Sequence, residues 1–127
     1  MMSLHSYLTR LYVTITSRQE IEIDSLEVNY IVTGVALFTA VLRFFDNSVL
    51  VIEEEVEEQP DQTIKKLRYK YHYQDAKSHL VFRYDNVPHH PSIITFPHHK
   101  HEGAKIMAAE SIDLSQVLQE IDQQLYA

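Results

Sequence analysis

The sequence predicts an α+β fold, with one antiparallel sheet of about five strands in a meander and a helix from each end of the chain packed on it. Three observations lead to this prediction. Apolar residues recur at helical spacing near both termini, two-residue alternation fills most of the middle, and turn-forming stretches separate the alternating runs. Because the chain has 127 residues, we expect a single domain spanning 1–127.

A helix is predicted at each end of the chain. Ser3 is a candidate N-cap for the first helix, which covers residues 3–16. Asp113 and Gln116 have the spacing of a capping box at the start of the second helix. The apolar stripe of that helix consists of Leu114, Val117, Leu118, Ile121 and Leu125.

Alternation of apolar and polar residues predicts the strands between the helices. The first strand changes parity between Ile23 and Leu26, which indicates a bulge near Ser25. Turn chemistry at 46–48 predicts a hairpin between the second and third strands. The predicted strands are 20–30, 35–45, 49–57, 64–73 and 80–85, and we expect 101–110 to be an irregular link.

The fourth predicted strand alternates strictly and should therefore present two different faces. Its tyrosines are expected to pack in the core and across strands. The opposite face is expected to be exposed and to carry a ladder of cations that ends at a histidine, formed by Lys66, Arg68, Lys70 and His72.

Composition excludes several classes of protein. With no cysteine there is no disulfide scaffold or thiolate metal site, and with two glycines there is no glycine-rich phosphate loop. The N-terminus lacks a signal-peptide pattern, and no apolar run approaches the roughly 20 residues that a membrane helix needs. We therefore expect a cytoplasmic protein with no membrane partner.

The net charge of −7 is unevenly distributed along the chain. Residues 62–105 hold eight basic and three acidic side chains, a net charge of +5, whereas the remainder carries −12. An anionic ligand is therefore electrostatically reasonable near the basic segment.

A histidine- and proline-rich loop is predicted at 86–103. The stretch 81–101 contains five of the eight histidines and three of the four prolines, which fix φ and favour extended backbone. We expect a stiff loop whose histidine rings face solvent, with Phe96–Pro97 as a candidate cis peptide bond. The five histidines are His89, His90, His98, His99 and His101.

Metal binding is one interpretation of these histidines. His99 and His101 are two residues apart, so in extended backbone they point the same way, whereas His98 points oppositely. A site from His89, His99 and His101 is geometrically possible, with His90 as a substitute for His89 and with Asp85 and Glu102 as uncertain carboxylate ligands.

Phosphodiester cleavage without a metal is a second interpretation. It needs a general base, a general acid and cations that stabilise charge on phosphorus. The candidate catalytic residues are Arg83, His89, His90, His98, His99 and Lys100. The candidate RNA-binding residues are Lys66, Arg68, Lys70, His72 and Tyr84. A purely structural loop, in which the prolines limit edge pairing, is the third interpretation.

Four segments of the chain resemble the TumE-like toxin family of prokaryotic toxin–antitoxin pairs. They are YHYQD at 71–75, FRYDN at 82–86, PHHP at 88–91 and FPHHKH at 96–101. One departure is the turn after Gln74, where the family tends to place Asp-Gly and this chain has Lys77–Ser78. The resemblance implies a small cytoplasmic toxin, usually encoded beside a helix-turn-helix antitoxin, and it assigns no catalytic residues.

These observations together predict a toxin that acts on RNA as a metal-independent endoribonuclease without a cofactor and is neutralised by a helix-turn-helix antitoxin. Two alternatives stay open: a non-catalytic module that inhibits a cellular protein, and a metal-dependent phosphodiesterase that uses the histidine cluster. The sequence does not indicate the target RNA, the cleavage specificity or whether the protein is a homo-oligomer.

Overall fold

The fold is an α+β arrangement, as the sequence predicts, but the sheet has seven strands rather than five. The computed structural model describes residues 2–88 and 93–126. Within these residues, all strands form one antiparallel sheet in which each pairs with its neighbour in sequence. The elements are α1 (Leu4–Thr16), β1 (Glu22–Val32), β2 (Val35–Arg43), β3 (Val49–Glu58), β4 (Ile64–Gln74), β5 (Leu80–Asp85), β6 (His99–Glu102), β7 (Lys105–Ala108) and α2 (Leu114–Leu125).

Both predicted helices and their caps are confirmed. The Ser3 side chain accepts a hydrogen bond from the Ser6 backbone N–H at 3.0 Å, which satisfies one of the unpaired donors at the start of α1. At α2, Asp113 and Gln116 form the reciprocal capping box, with bonds of 2.9 and 3.0 Å. Among the described residues, no helix is long and apolar enough to cross a membrane.

The helices cover one face of the sheet, which we call the helix-covered face. Alternate residues of β2 to β5 are buried there together with the apolar sides of α1 and α2. The tyrosines of β4 belong to this core, as predicted, and Tyr69 and Tyr71 are almost completely buried. Side chains at the intervening positions of β3 to β6 point to the opposite side, which we call the open face.

The strand β1 forms one edge of the sheet. Its pairing with β2 shifts register between Ile23 and Ser25, which confirms the predicted bulge. Ten of its eleven residues are exposed, so this strand contributes little to the core.

The prediction of an irregular link after the histidines was wrong. Residues 99–102 and 105–108 pair as the hairpin β6–β7, joined by the two-residue turn Gly103–Ala104. Gly103 has φ of +59°, a conformation that suits glycine in such a turn. Each strand has only four residues, too few for alternation to be recognised in the sequence.

The predicted position of Lys66 was also wrong. The β3–β4 pairing shifts register between Glu55 and Val56, so Lys66 lies opposite the buried Val56 on the helix-covered face. Its Nζ donates to the Tyr71 hydroxyl and to the Ile112 carbonyl, each at 2.7 Å. Burial lowers the pKa of Lys66, and this side chain cannot belong to an exposed ladder of cations.

Candidate active site

Three side chains form a row across the open face. Strand pairing places His72 of β4 directly beside Arg83 of β5, and Arg83 directly beside His101 of β6. Neighbouring strands lie about 4.8 Å apart, so the backbones of the two histidines are about 10 Å apart with Arg83 between them. We call this set the His–Arg–His row.

A second row lies next to it and contains a buried carboxylate. Asp85 lies between Lys70 and His99 in the strand pairing, and its side chain is almost completely buried. Its Oδ2 accepts a hydrogen bond from Nε of Arg83 at 3.0 Å, and its Oδ1 accepts one from the Val87 backbone N–H at 3.1 Å. The carboxylate is therefore stabilised by a cation and a backbone donor, which a buried charge requires.

Two histidines of β6 also approach this carboxylate. His99 Nε2 lies 2.8 Å from Asp85 Oδ1, and His101 Nε2 lies 3.7 Å from Oδ2. The two imidazole rings have centroids 4.9 Å apart, so they point the same way, as their spacing predicts. Asp85, His99 and His101 each offer one ligand-type atom, and these three atoms lie within 4.8 Å of one another.

The two rows differ in their access to solvent. The side chains of Arg83 and His101 are 36% and 18% exposed, and His72 is half-buried. By contrast, His99 is only 2% exposed, so the expectation that its ring faces solvent was wrong. Asp85 and His99 are therefore too deeply buried to touch a ligand on the open face, whereas the members of the His–Arg–His row and Lys70 are accessible there.

The environment of His72 favours the neutral imidazole. Burial, followed by the positive charges of Arg83 and Lys70, lowers the pKa of His72 below its ordinary value. Because a neutral imidazole has a lone pair that can accept a proton, His72 has the protonation state of a general base at pH 7.

His98 lies apart from the rows. Its Nδ1 forms a 2.9 Å hydrogen bond with the Tyr69 hydroxyl, and burial raises the pKa of Tyr69 to about 12. The phenol therefore remains protonated at neutral pH. The backbone turns His98 away from His99, as alternation in an extended chain predicts. The Phe96–Pro97 bond just before it is cis, as predicted.

Lys100 and Tyr84 pair with each other across β5 and β6, and they lie on the helix-covered face, since Tyr84 belongs to the core beneath α2. Glu120 of α2 accepts hydrogen bonds from both, at 2.9 Å from Lys100 Nζ and 2.5 Å from the Tyr84 hydroxyl. Burial opposes the charge on Lys100, but its contacts with Glu120 and Glu102 raise its pKa overall. Tyr84 is only 8% exposed, so it offers no stacking surface for a base.

Arg68 and Lys70 do lie on the open face, but each is paired with a glutamate of β3. Lys70 Nζ is 2.5 Å from Glu53, and Arg68 is 3.3 Å from Glu55. These four side chains line a hollow of about 250 Å³ that also contacts Val87. The acidic run of β3 thus partly neutralises the predicted ladder of cations.

The remaining candidates, His89 and His90, lie outside the described residues. Asp85, one of the two carboxylates considered for the predicted metal set, lies close to both His99 and His101. Sequence reasoning missed the central position of Asp85 and did not consider His101 for acid–base work. The alternation of Arg83 and Asp85 in β5 was an available signal, because it places both on one face.

The family model described as toxin TumE matches residues 10–125, which is nearly the whole chain. Searches of curated proteins and of solved structures returned no significant match.

Proposed function

Because the chain belongs to the TumE toxin family, we propose that it is a toxin that cleaves RNA without a metal ion, using the His–Arg–His row. The row itself is the observation on which this proposal depends. It places a neutral imidazole, a guanidinium and a second imidazole side by side on a partly exposed surface. These are the three groups that RNA cleavage at the 2′-hydroxyl requires.

The proposed reaction assigns one role to each member of the row. His72 takes the proton of a ribose 2′-hydroxyl, and the resulting oxyanion attacks the adjacent phosphorus. The bond from phosphorus to the 5′-oxygen breaks, and His101 donates a proton to that leaving oxygen. The products are a 2′,3′-cyclic phosphate and a 5′-hydroxyl, so no water, metal or cofactor is consumed.

Arg83 lies between the two histidines, where the phosphate would bind. A guanidinium can contact two phosphate oxygens at once and stabilise the extra charge that develops on phosphorus. Its Nε bond to Asp85 holds the group in place. Asp85 also lies near enough to His101 to stabilise its protonated form. Asp85 is thus a positioning residue in this scheme.

The test uses purified protein and a single-stranded RNA, with and without a chelator. We expect cleavage that survives chelation and leaves 2′,3′-cyclic phosphate ends. His72→Gln and His101→Gln should each reduce the rate strongly. His79→Gln is the matched control, because His79 is exposed in the turn between β4 and β5, away from the row.

A second substrate makes the test specific for this chemistry. An RNA whose cleavable positions carry 2′-deoxyribose should resist the protein, because it lacks the attacking hydroxyl. Cleavage of the deoxy substrate, or loss of all cleavage on chelation, would contradict the proposal. Intact RNA at high protein excess would instead support a non-catalytic module that inhibits a cellular protein.

Membership of the family implies a protein antitoxin in general. We further propose that this antitoxin is of the helix-turn-helix type and that the pair acts in the cytoplasm. Co-expression with the neighbouring gene product should restore growth of cells that make the toxin, and the two proteins should co-purify.

A further inference from the structure

We propose that Asp85, His99 and His101 form a binding site for a divalent transition-metal ion such as Zn²⁺, and that an ion bound there inhibits the toxin. The inhibitory part rests on the proposed function, whereas the binding part does not. The site would need only small movements of side chains, because the three ligand-type atoms already lie within 4.8 Å of one another.

The backbone holds the three groups in place. His99 and His101 occupy alternate positions of β6, and Asp85 lies directly opposite His99 in β5. Ligands carried by paired strands are positioned before the ion arrives, which reduces the ordering cost of binding. Asp85 and His99 are buried, while the partly exposed His101 leaves a side from which an ion and a water ligand can enter.

The orientation of His99 is typical of a metal ligand. Its Nδ1 lies 3.0 Å from the Pro97 carbonyl oxygen, which can only accept, so Nδ1 carries the proton in this bond. Its Nε2 faces the Asp85 carboxylate and lies 2.8 Å from Oδ1. A histidine held through its other nitrogen by a carbonyl is a recurrent feature of zinc sites.

The types of ligand indicate the class of ion. Two imidazole nitrogens and one carboxylate suit Zn²⁺ and its first-row neighbours, whereas Mg²⁺ and Ca²⁺ prefer oxygen ligands. Asp85 can serve both partners, with Oδ1 near His99 for the ion and Oδ2 on Arg83. Binding would occupy Nε2 of His101, so this ring could not carry the extra proton that it donates in the proposed reaction. A bound ion should therefore stop cleavage.

The binding test is a titration of the full chain, stripped of metal, with Zn²⁺ in competition with a chromophoric chelator. We expect stoichiometric binding by the wild type, and at least tenfold weaker binding by His101→Gln, His99→Gln and Asp85→Asn. His98→Gln is the matched control, because His98 neighbours the cluster in sequence but bonds to Tyr69. If all variants bind alike, the ion is held by clustered histidines in general and the proposed site is wrong.

Folding must be checked, since Asp85 and His99 are buried. His101→Gln keeps the test valid, because His101 is partly exposed and its loss should leave the circular dichroism spectrum unchanged. A folded His101→Gln protein that still binds Zn²⁺ with wild-type affinity would overturn the site by itself.

The functional test measures RNA cleavage as Zn²⁺ is added and then removed by a chelator. Loss of cleavage on addition and its recovery on removal support the inhibitory role. Cleavage that persists while Zn²⁺ occupies the cluster would overturn both inhibition and the acid role of His101. Cleavage that requires Zn²⁺ would overturn inhibition and the metal-free reaction but support the site. Chelator-resistant cleavage without Zn²⁺ binding would overturn the metal site alone and leave the proposed function intact.

Discussion

Glu54 and Asp85 are both buried carboxylates, but they lie on opposite faces of the same sheet. Glu54 lies on the helix-covered face, where it accepts hydrogen bonds from the hydroxyls of Tyr7 and Tyr71. Asp85 lies on the open face, with a guanidinium, a backbone N–H and two imidazoles around it. Each arrangement supplies the donors or cations that a buried charge needs.

The partners of the two carboxylates differ in whether they can release or take a proton near neutral pH. Burial and the negative charge of Glu54 raise the pKa of Tyr7 and of Tyr71 far above their ordinary value, so these phenols stay protonated. Imidazoles, by contrast, titrate within the physiological range. The Glu54 cluster is thus suited to stabilising the fold, whereas acid–base chemistry beside Asp85 is the role that we propose for the other cluster.

The largest expected effect is on activity at the open face. His72→Ala or His101→Ala should lower the rate of RNA cleavage by about 10²- to 10⁴-fold, the usual contribution of a general acid or base. The free energy of unfolding should change by only about 1 kcal/mol, because both rings are partly exposed. Single-turnover cleavage and urea denaturation of the same samples check this. If activity falls only in proportion to the unfolded fraction, the row has no catalytic role.

The next largest effect is on stability at the helix-covered face. Glu54→Ala should lower the free energy of unfolding by roughly 3–5 kcal/mol, because it removes the acceptor of the buried Tyr71 hydroxyl and of the partly buried Tyr7 hydroxyl and a negative charge near Lys66. Denaturant unfolding measures the loss. Glu54→Gln is the control of similar shape, and it should lower the free energy of unfolding by less than Glu54→Ala does. Cleavage per folded molecule should be unchanged, and a selective loss of activity would contradict the division between the two clusters.

The pH dependence of cleavage should be a smaller effect. Because the pKa of His72 is lowered, this base stays neutral until the pH falls below the ordinary histidine value of about 6.5. The acidic limb of the rate profile should therefore lie below that value. Lys70→Gln removes a positive charge that disfavours protonation of His72. The pKa of His72 should therefore rise, and the acidic limb of the rate profile should move to higher pH. An acidic limb that does not respond to Lys70→Gln would argue against His72 as the base.

The smallest effect is expected from the ion-paired cations beside the row. Arg68→Gln and Lys70→Gln should each reduce the slope of log affinity against log salt by less than about 1, because Glu55 and Glu53 already neutralise part of their charge. Filter binding at several salt concentrations measures the slope. Glu53→Gln is a control in the opposite direction: it removes the negative charge paired with Lys70 and should strengthen RNA binding. If the slope instead decreases by a full unit for each cation replaced, the ion pairs with Glu53 and Glu55 must break when RNA binds.

Local features of the sequence predicted much of the fold. Ser3, Asp113 and Gln116 identified both helix starts, because capping depends on residues a few positions apart. The bulge near Ser25 and the matching directions of His99 and His101 also followed from short-range spacing. The hairpin β6–β7 escaped prediction because its strands are too short to show a period.

The candidate site was only partly predictable, because it depends on which residues of different strands become neighbours. His72, Arg83 and His101 were all noticed in the sequence, but only strand register places them side by side. One extra residue at the bulge in β4 moved Lys66 to the other face, as a one-residue shift does in a sheet with a period of two. Lys100 was predicted to stabilise negative charge on the phosphate, but its side chain instead contacts Glu120.

The sequence by itself determined the α+β class, the helix caps, most of the strands and the supply of imidazoles and cations. Tertiary structure decided which of them meet, which face they share and which are buried. The physical reason is that caps and alternation arise from contacts within a few residues, whereas register and burial arise from pairing between distant segments. Asp85 shows the difference most clearly, since only the pairing of β4, β5 and β6 makes this ordinary strand residue the centre of a cluster.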